Sequence, residues 1–208
     1  MAQNMDDEFG IPKYDEVGGF SEDLAGVKLS GKWGFVDREG NEIGFEKMKI
    51  RPATSHDVQA IADIYNEYIV HSTATFDETP LSYGAMAERI SEISSAYPYF
   101  VCEIEGQVAG YCFAHQWKPR SAYNTTWETA VYLDSRYIGR GIGKLLMQRF
   151  IAECRRRGAK ALIACITADN DASIALHLQL GFEQVSHFKR VGVKFGTWLD
   201  VKDYELRL

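Results

Sequence analysis

The chain has 208 residues, 46% of them hydrophobic and 25% charged, with a formal net charge of -6, a balance that excludes disordered and collagen-like architectures. No run approaches the length and apolarity of a membrane span. The acidic start MAQNMDDEFG also has neither the basic region nor the apolar stretch of a secretion signal, so a cytoplasmic protein without a membrane partner is expected. Acidic residues are concentrated at one end. Residues 1–48 hold five Lys/Arg and eleven Asp/Glu, and the remaining eighteen of each sign cancel; a boundary after residue 48 is expected, and no basic stripe points to nucleic acid.

In the first segment, LAGVKL and KWGFVD read as short strands joined by SGK, with DREGNE as the turn that follows. A β meander of this size cannot build a robust core alone. The stretch FSEDLAGVKLSGKWGFVDREGNEI resembles one unit of the WG repeat family, with Trp33 and Gly34 as the naming pair. Such units normally come in series, so a single one is expected to pack on its neighbour or on a protein partner.

From residue 49 onward the periodicity is that of a mixed α/β domain. KMKIRPAT reads as a strand, and SHDVQAIADIYNEYIVH as a helix capped by Ser55, with Val58, Ile61, Ile64, Tyr65, Tyr68 and Ile69 at helical spacing. The loop STATFDETP leads to a second helix, LSYGAMAERISEISS. Strands follow in YFVCEIEG, QVAGYCFAHQW and TWETAVYLD. GKLLMQRFIAECRRRG is an amphipathic helix closed by Gly158, ALIACIT a buried strand, and DASIALHLQLG a helix. FEQVSHFKRVGVK and GTWLDVKDYELRL are the last two strands, giving the order βααβββαβαββ. The four cysteines, Cys102, Cys112, Cys154 and Cys165, stand apart without ligand spacing and read as reduced core residues, with no metal site.

A strand running through DSRYIGRGIG into a helix places the amides of Gly139, Arg140, Gly141, Ile142, Gly143 and Lys144 around a helix N-terminus, which suits an anion such as a pyrophosphate. GRGIGK is neither GxxxxGK[ST] nor the start of GxGxxG, which would need glycine at Lys144. The wider stretch, YLDSRYIGRGIGKLLMQRFIAECRRRGAKALIACITADNDASIALHLQLGFEQV, resembles the acetyl-CoA-binding core of the GNAT superfamily of N-acetyltransferases. YPYFVCEIEGQVAGYCFAHQWKPRSAY, WETAVYLDSRY, NDASIALHLQLGF and GVKFGTWLDV narrow it to the phosphinothricin acetyltransferase group. The resemblance covers about residues 49–208. It implies a central mixed, mainly antiparallel sheet flanked by helices, acetyl-CoA as cosubstrate and a dimer. One position departs from the superfamily pattern: Ile138 stands where Gln or Arg is usual, which leaves Arg136 or Arg140 to supply charge.

An amine attacks a thioester only as the free base, so the site needs a proton acceptor. Glu128, on the strand just before the expected cofactor segment, is the candidate, and the resemblance gives the matching glutamate this role. The resemblance also implies that the backbone of Val131, Tyr132 and Leu133 splays from its neighbouring strand, pairs with the pantetheine arm and offers an amide to the thioester oxygen. Asn170 and Ser173 are implied cofactor contacts. His177, two helical turns beyond Asn170, stands where many members carry a tyrosine acid; proton donor and simple cofactor contact are both open. Phe76, Lys118, Arg120 and Tyr123, with Trp117, are the candidate substrate residues, Arg120 as a bidentate partner for a carboxylate. His56, His71, His115 and His187 read as structural or surface residues. The expected function is acetyl transfer to a small amino acid or analogue, with a noncatalytic acetyl-CoA sensor and a protein-lysine acetyltransferase as alternatives.

Overall fold

The computed structural model describes residues 14–21, 24–29, 32–37, 42–46 and 48–208. Strands β1 (Glu16–Ser21), β2 (Leu24–Leu29), β3 (Lys32–Asp37) and β4 (Glu42–Glu46) form an antiparallel sheet in chain order. The sequence predicted β2 and β3, and β1 and β4 extend the meander on either side. The turns predicted at SGK and DREGNE fall mainly outside the described residues. Tyr14, Ala25, Val27 and Val36 make up the meander's small core.

The second sheet contains β5 (Met48–Pro52), β6 (Tyr99–Ile104), β7 (Gln107–Gln116), β8 (Thr126–Leu133), β9 (Ala161–Thr167), β10 (Glu183–Gln184), β11 (Phe188–Lys194) and β12 (Thr197–Arg207). Its order is β10-β12-β9-β8-β7-β6-β5, with β11 paired to β12. Met48 already belongs to it, opposite Ile104. All described pairings are antiparallel except β8 with β9. That exception follows from the connection, because β8 reaches β9 through a helix and a crossover returns the chain in the same direction.

Alternation along the strands sorts the core into two layers. Tyr99, Val101, Tyr111 and Phe113 face α1 (Val58–His71) and α2 (Tyr83–Ala96), meeting Ile61, Ile64, Tyr65, Ile69, Met86 and Ile90. Phe100, Cys102, Cys112 and Ala114 face the other way, toward α3 (Ile142–Arg156), whose Ile142, Leu146, Met147, Phe150 and Cys154 are all buried. The short helix α4 (Asp171–Gln179) lies on this second side. A Cβ added to Gly26 would stand 3.2 Å from Leu145 Cδ1, so β2 of the meander rests against α3.

Three elements depart from the sequence reading. The predicted Ser55 cap gives way to a 3-10 turn at Ser55–Asp57, where the Asp57 carboxylate accepts from the Thr54 amide at 2.7 Å and is clamped by Arg51. The strand expected over FEQVSHFKRVGVK is divided into β10 and β11. Between them Ser186 Oγ accepts from the Asp203 amide at 3.0 Å and His187 bonds Asp200 at 2.8 Å, which takes the chain out of the ladder. Cys102, Cys112 and Cys154 are buried as expected, but Cys165 is exposed, because its position on β9 faces a cleft rather than a helix.

Candidate active site

The cleft originates in a failure of pairing. β8 and β9 are joined at Thr126, Trp127 and Glu128, opposite Ala161, Leu162 and Ile163, and the ladder stops there. Beyond Glu128, β8 stays with β7 through Leu133, while β9 stays with β12 through Thr167. The strands therefore fork, and the β9-facing edge of Thr129–Leu133 has no ladder partner. A cleft of about 600 Å³ occupies the fork, lined along its length by Glu128, Val131, Tyr132, Leu133, Cys165 and His177.

Glu128 stands at the apex. Its carboxyl is raised above the usual range, chiefly by burial and also by Asp203, with His115 and Cys165 acting in the opposite direction. His115 Nε2 is 3.7 Å from Glu128 Oε1. Cys165 donates its thiol to Asp203 Oδ1 at 3.0 Å, and burial between the two carboxyls pushes that thiol up. This end of the cleft is thus a half-buried acidic pocket with one histidine at its side.

His177 is 2% exposed and its ring meets Phe182 edge-on at 4.9 Å. Nδ1 lies 2.8 Å from the Ser173 carbonyl. A carbonyl oxygen only accepts, so Nδ1 carries the proton and the neutral ring leaves Nε2 as a bare acceptor. Burial lowers the imidazole's tendency to charge. Three buried polar atoms lack a partner among the described residues, Thr129 Oγ1, Thr167 Oγ1 and His177 Nε2, and all three residues line this cleft. Buried polar groups without partners mark a place where a polar ligand fits.

At the helix entry Gly139 and Gly141 have φ of +78° and +70°, a left-handed geometry that admits glycine without strain. Ile142 and Gly143 are buried, and Ile142 packs in the core rather than lining the cleft. The Lys144 amide donates to the Gly141 carbonyl at 3.1 Å, so it is already engaged within the turn. Arg136 is paired with Asp134 at 2.6 Å, Arg140 lies over the Tyr137 ring, and Ile138 is exposed at the cleft edge. Asn170 caps α4 through Ser173, and both residues line the cleft.

The substrate candidates separate. Phe76 lines the cleft. Lys118, Arg120 and Tyr123 sit in the connection from β7 to β8 and do not line it; Lys118 lies 3.9 Å over the Trp117 ring. The lysine or arginine in the described lining is instead Arg89 of α2, over the Tyr65 ring and 3.3 Å from Asp77. Neither Arg89, whose helical spacing is that of a solvated charge, nor His115 could be singled out from the sequence. Their signal is convergence in space.

Residues 59–182 match the profile of the acetyltransferase (GNAT) family. The chain belongs to that family. It is 36% identical over 163 residues to the phosphinothricin N-acetyltransferase of Streptomyces viridochromogenes, covering 76% of this chain and 89% of that protein. It is 37% identical to the L-methionine sulfoximine/L-methionine sulfone acetyltransferase of Salmonella typhimurium, with 77% and 95% covered. Among solved structures, a GNAT superfamily phosphinothricin acetyltransferase from Sinorhizobium meliloti in complex with acetyl-CoA superposes with a TM-score of 0.75 at 38% identity, over 77% of this chain and 88% of that one. Residues 4–33 of this GNAT chain match the WG containing repeat. That match ends on Trp33, so its phase differs from the unit expected from the sequence, and its first residues lie outside those described.

Proposed function

We propose that this GNAT chain moves the acetyl group of acetyl-CoA to the amino group of a small amino acid or analogue of the phosphinothricin, methionine sulfoximine or methionine sulfone type. The observation that carries the reading is the fork of β8 from β9 immediately after Glu128. It sets a proton acceptor beside an edge of free backbone amides, as acyl transfer to an amine requires.

Acetyl-CoA supplies the activated acetyl thioester. The β9-facing edge of Val131, Tyr132 and Leu133 holds its arm and directs an amide at the oxygen on which negative charge develops. The amides at Gly139, Arg140, Gly141, Ile142 and Gly143 take the phosphates at the N-terminus of α3, with Lys144 contributing through its side chain. Asn170 and Ser173 contact the cofactor. Glu128 accepts the proton of the incoming ammonium, directly or through one water. His177 is a hydrogen-bond acceptor for the cofactor rather than a proton donor, a role supported by its neutral ring and bare Nε2. Arg89 and Phe76 set the substrate end, with Arg120 of the adjoining connection at its rim.

The segment before Met48 is an accessory WG unit, and the acetyltransferase domain follows from β5, one residue earlier than the boundary expected after residue 48; the unit's free faces are offered to a protein partner. A homodimer is supported by the hairpin of β11 and β12, where Phe188, Val191, Val193, Phe195 and Trp198 are all exposed. The protein works in the cytoplasm; among the described residues no helix is long and apolar enough to cross a membrane. Thiol release from acetyl-CoA, measured across methionine sulfone, methionine sulfoximine, phosphinothricin, ordinary amino acids, polyamines and a lysine peptide, tests the reading. Turnover with the first three is expected. Silence with all of them would refute it.

A further inference from the structure

His115 and Glu128 are directly opposite on β7 and β8, so their side chains share one face of the sheet, and both line the cleft. His115 Nδ1 is 3.0 Å from the Gln116 carbonyl. As with any carbonyl contact, that nitrogen must be the donor, which fixes the tautomer and leaves Nε2 as a lone pair facing Glu128 Oε1 at 3.7 Å. The two side chains are 37% and 27% exposed, so the imidazole is the wetter of the pair.

We propose that His115 and Glu128 accept the amine's proton as a pair, with the proton coming to rest on His115 Nε2 and the Glu128 carboxylate stabilising the imidazolium. This inference rests on the acetyltransferase reading above. An ammonium gives up its proton reluctantly to a carboxylate, and an imidazole is ordinarily the stronger base, which makes more free amine available in the complex. The surroundings favour a positive charge there. Glu128 faces His115 from β8, and Cys165 of β9 and Asp203 of β12 stand behind Glu128, adding a second carboxylate. On β7 itself the neighbour is the Phe113 ring, 5.9 Å away. Arg89, the lysine or arginine in the described lining, is paired with Asp77.

The proton count closes. One proton passes from R–NH3+ to His115. The freed lone pair forms the N–C bond while the C–S bond breaks with its electrons going to sulfur, and the second proton lost by nitrogen balances the one gained by the thiolate. The single proton left on His115 leaves to solvent through its exposed edge, and Glu128 ends as it began.

The test compares wild type, His115→Gln and His115→Ala with methionine sulfone as the amine, reading kcat/KM from pH 5 to 9, roughly the span over which imidazole and carboxylate bases are told apart, with acetyl-CoA affinity as a control. Loss of His115 should lower kcat/KM about tenfold near neutrality and move the acid limb to lower pH, because a carboxylate is ordinarily a weaker base than an imidazole. Added imidazole should restore part of the His115→Ala rate, and acetyl-CoA affinity should not change. A wild-type rate and limb in His115→Gln, or a loss confined to the amine KM that imidazole does not restore, overturns the proposal while the enzyme still turns over. Absence of turnover in the wild type overturns the acetyltransferase reading, and this inference with it.

Discussion

The Lys194 ammonium donates to the Thr75 carbonyl at 2.7 Å, joining β11 to a loop 119 residues away in the chain. It donates equally to Ser72, where α1 ends, and is 1% exposed. A cation at a helix C-terminus is well placed against the helix dipole. Above it the Phe76 ring packs on the backbone of Gly192, where an added Cβ would run into the ring. The loop that forms one wall of the cleft is therefore held from below by a lysine and from the side by a glycine. Lys194→Met takes the donor from the buried Thr75 carbonyl and the part-buried Ser72 carbonyl and should destabilise the fold by about 2 kcal/mol, while raising the amine KM several-fold. Denaturant unfolding and steady-state kinetics measure the two effects separately.

Arg89 and Arg120 are the two candidates for a partner of the substrate carboxylate. Arg89 lines the cleft and already touches Asp77, whereas Arg120 belongs to the connection outside it. Arg89→Gln should raise the KM for methionine sulfone by about tenfold or more, in keeping with loss of a charge-assisted hydrogen bond. Arg120→Ala should change it less. The reverse order would return the carboxylate site to the connection.

His177 offers Nε2 as an acceptor, so its loss should act on binding more than on chemistry. For His177→Leu we expect an acetyl-CoA KM about tenfold higher, the worth of one net hydrogen bond, and a kcat at saturation within about threefold of wild type. A proton donor would behave differently: kcat would collapse and the basic limb of the pH profile would vanish.

Glu153 accepts from Arg156 at 2.7 Å and from Arg157 at 3.1 Å, which holds its carboxyl at about 2, below the ordinary 4.5. A carboxyl lowered on folding stabilises the protein above its unfolded value and loses that contribution as pH falls toward the folded one. The melting temperature of wild type should therefore exceed that of Glu153→Gln above pH 4.5 and converge with it near pH 2. A gap that persisted at the acid end would show that packing, not charge, is responsible.

The sequence by itself determined whatever depends on local spacing. Apolar residues at helical intervals marked α1 and α3, glycines at 139 and 141 marked the tight entry to α3, and Glu128 was singled out by its place on the strand just before the expected cofactor segment and by the family resemblance. Local spacing also misled where a neighbour decides the outcome: Thr54 rather than Ser55 caps the 3-10 turn that leads into α1, because the Asp57 carboxylate, clamped by Arg51, turns back to the Thr54 amide, and Cys165 left the core because β9 parts from β8. Only the tertiary structure created the fork, since whether two strands pair is a property of neither strand alone. The same holds for His115 from β7, Arg89 from α2, Asp203 from β12 and Lys194 from β11. Each reads along its own segment as an ordinary charged or surface residue, and the chemistry of the site arises from the strand register and helix packing that bring them together.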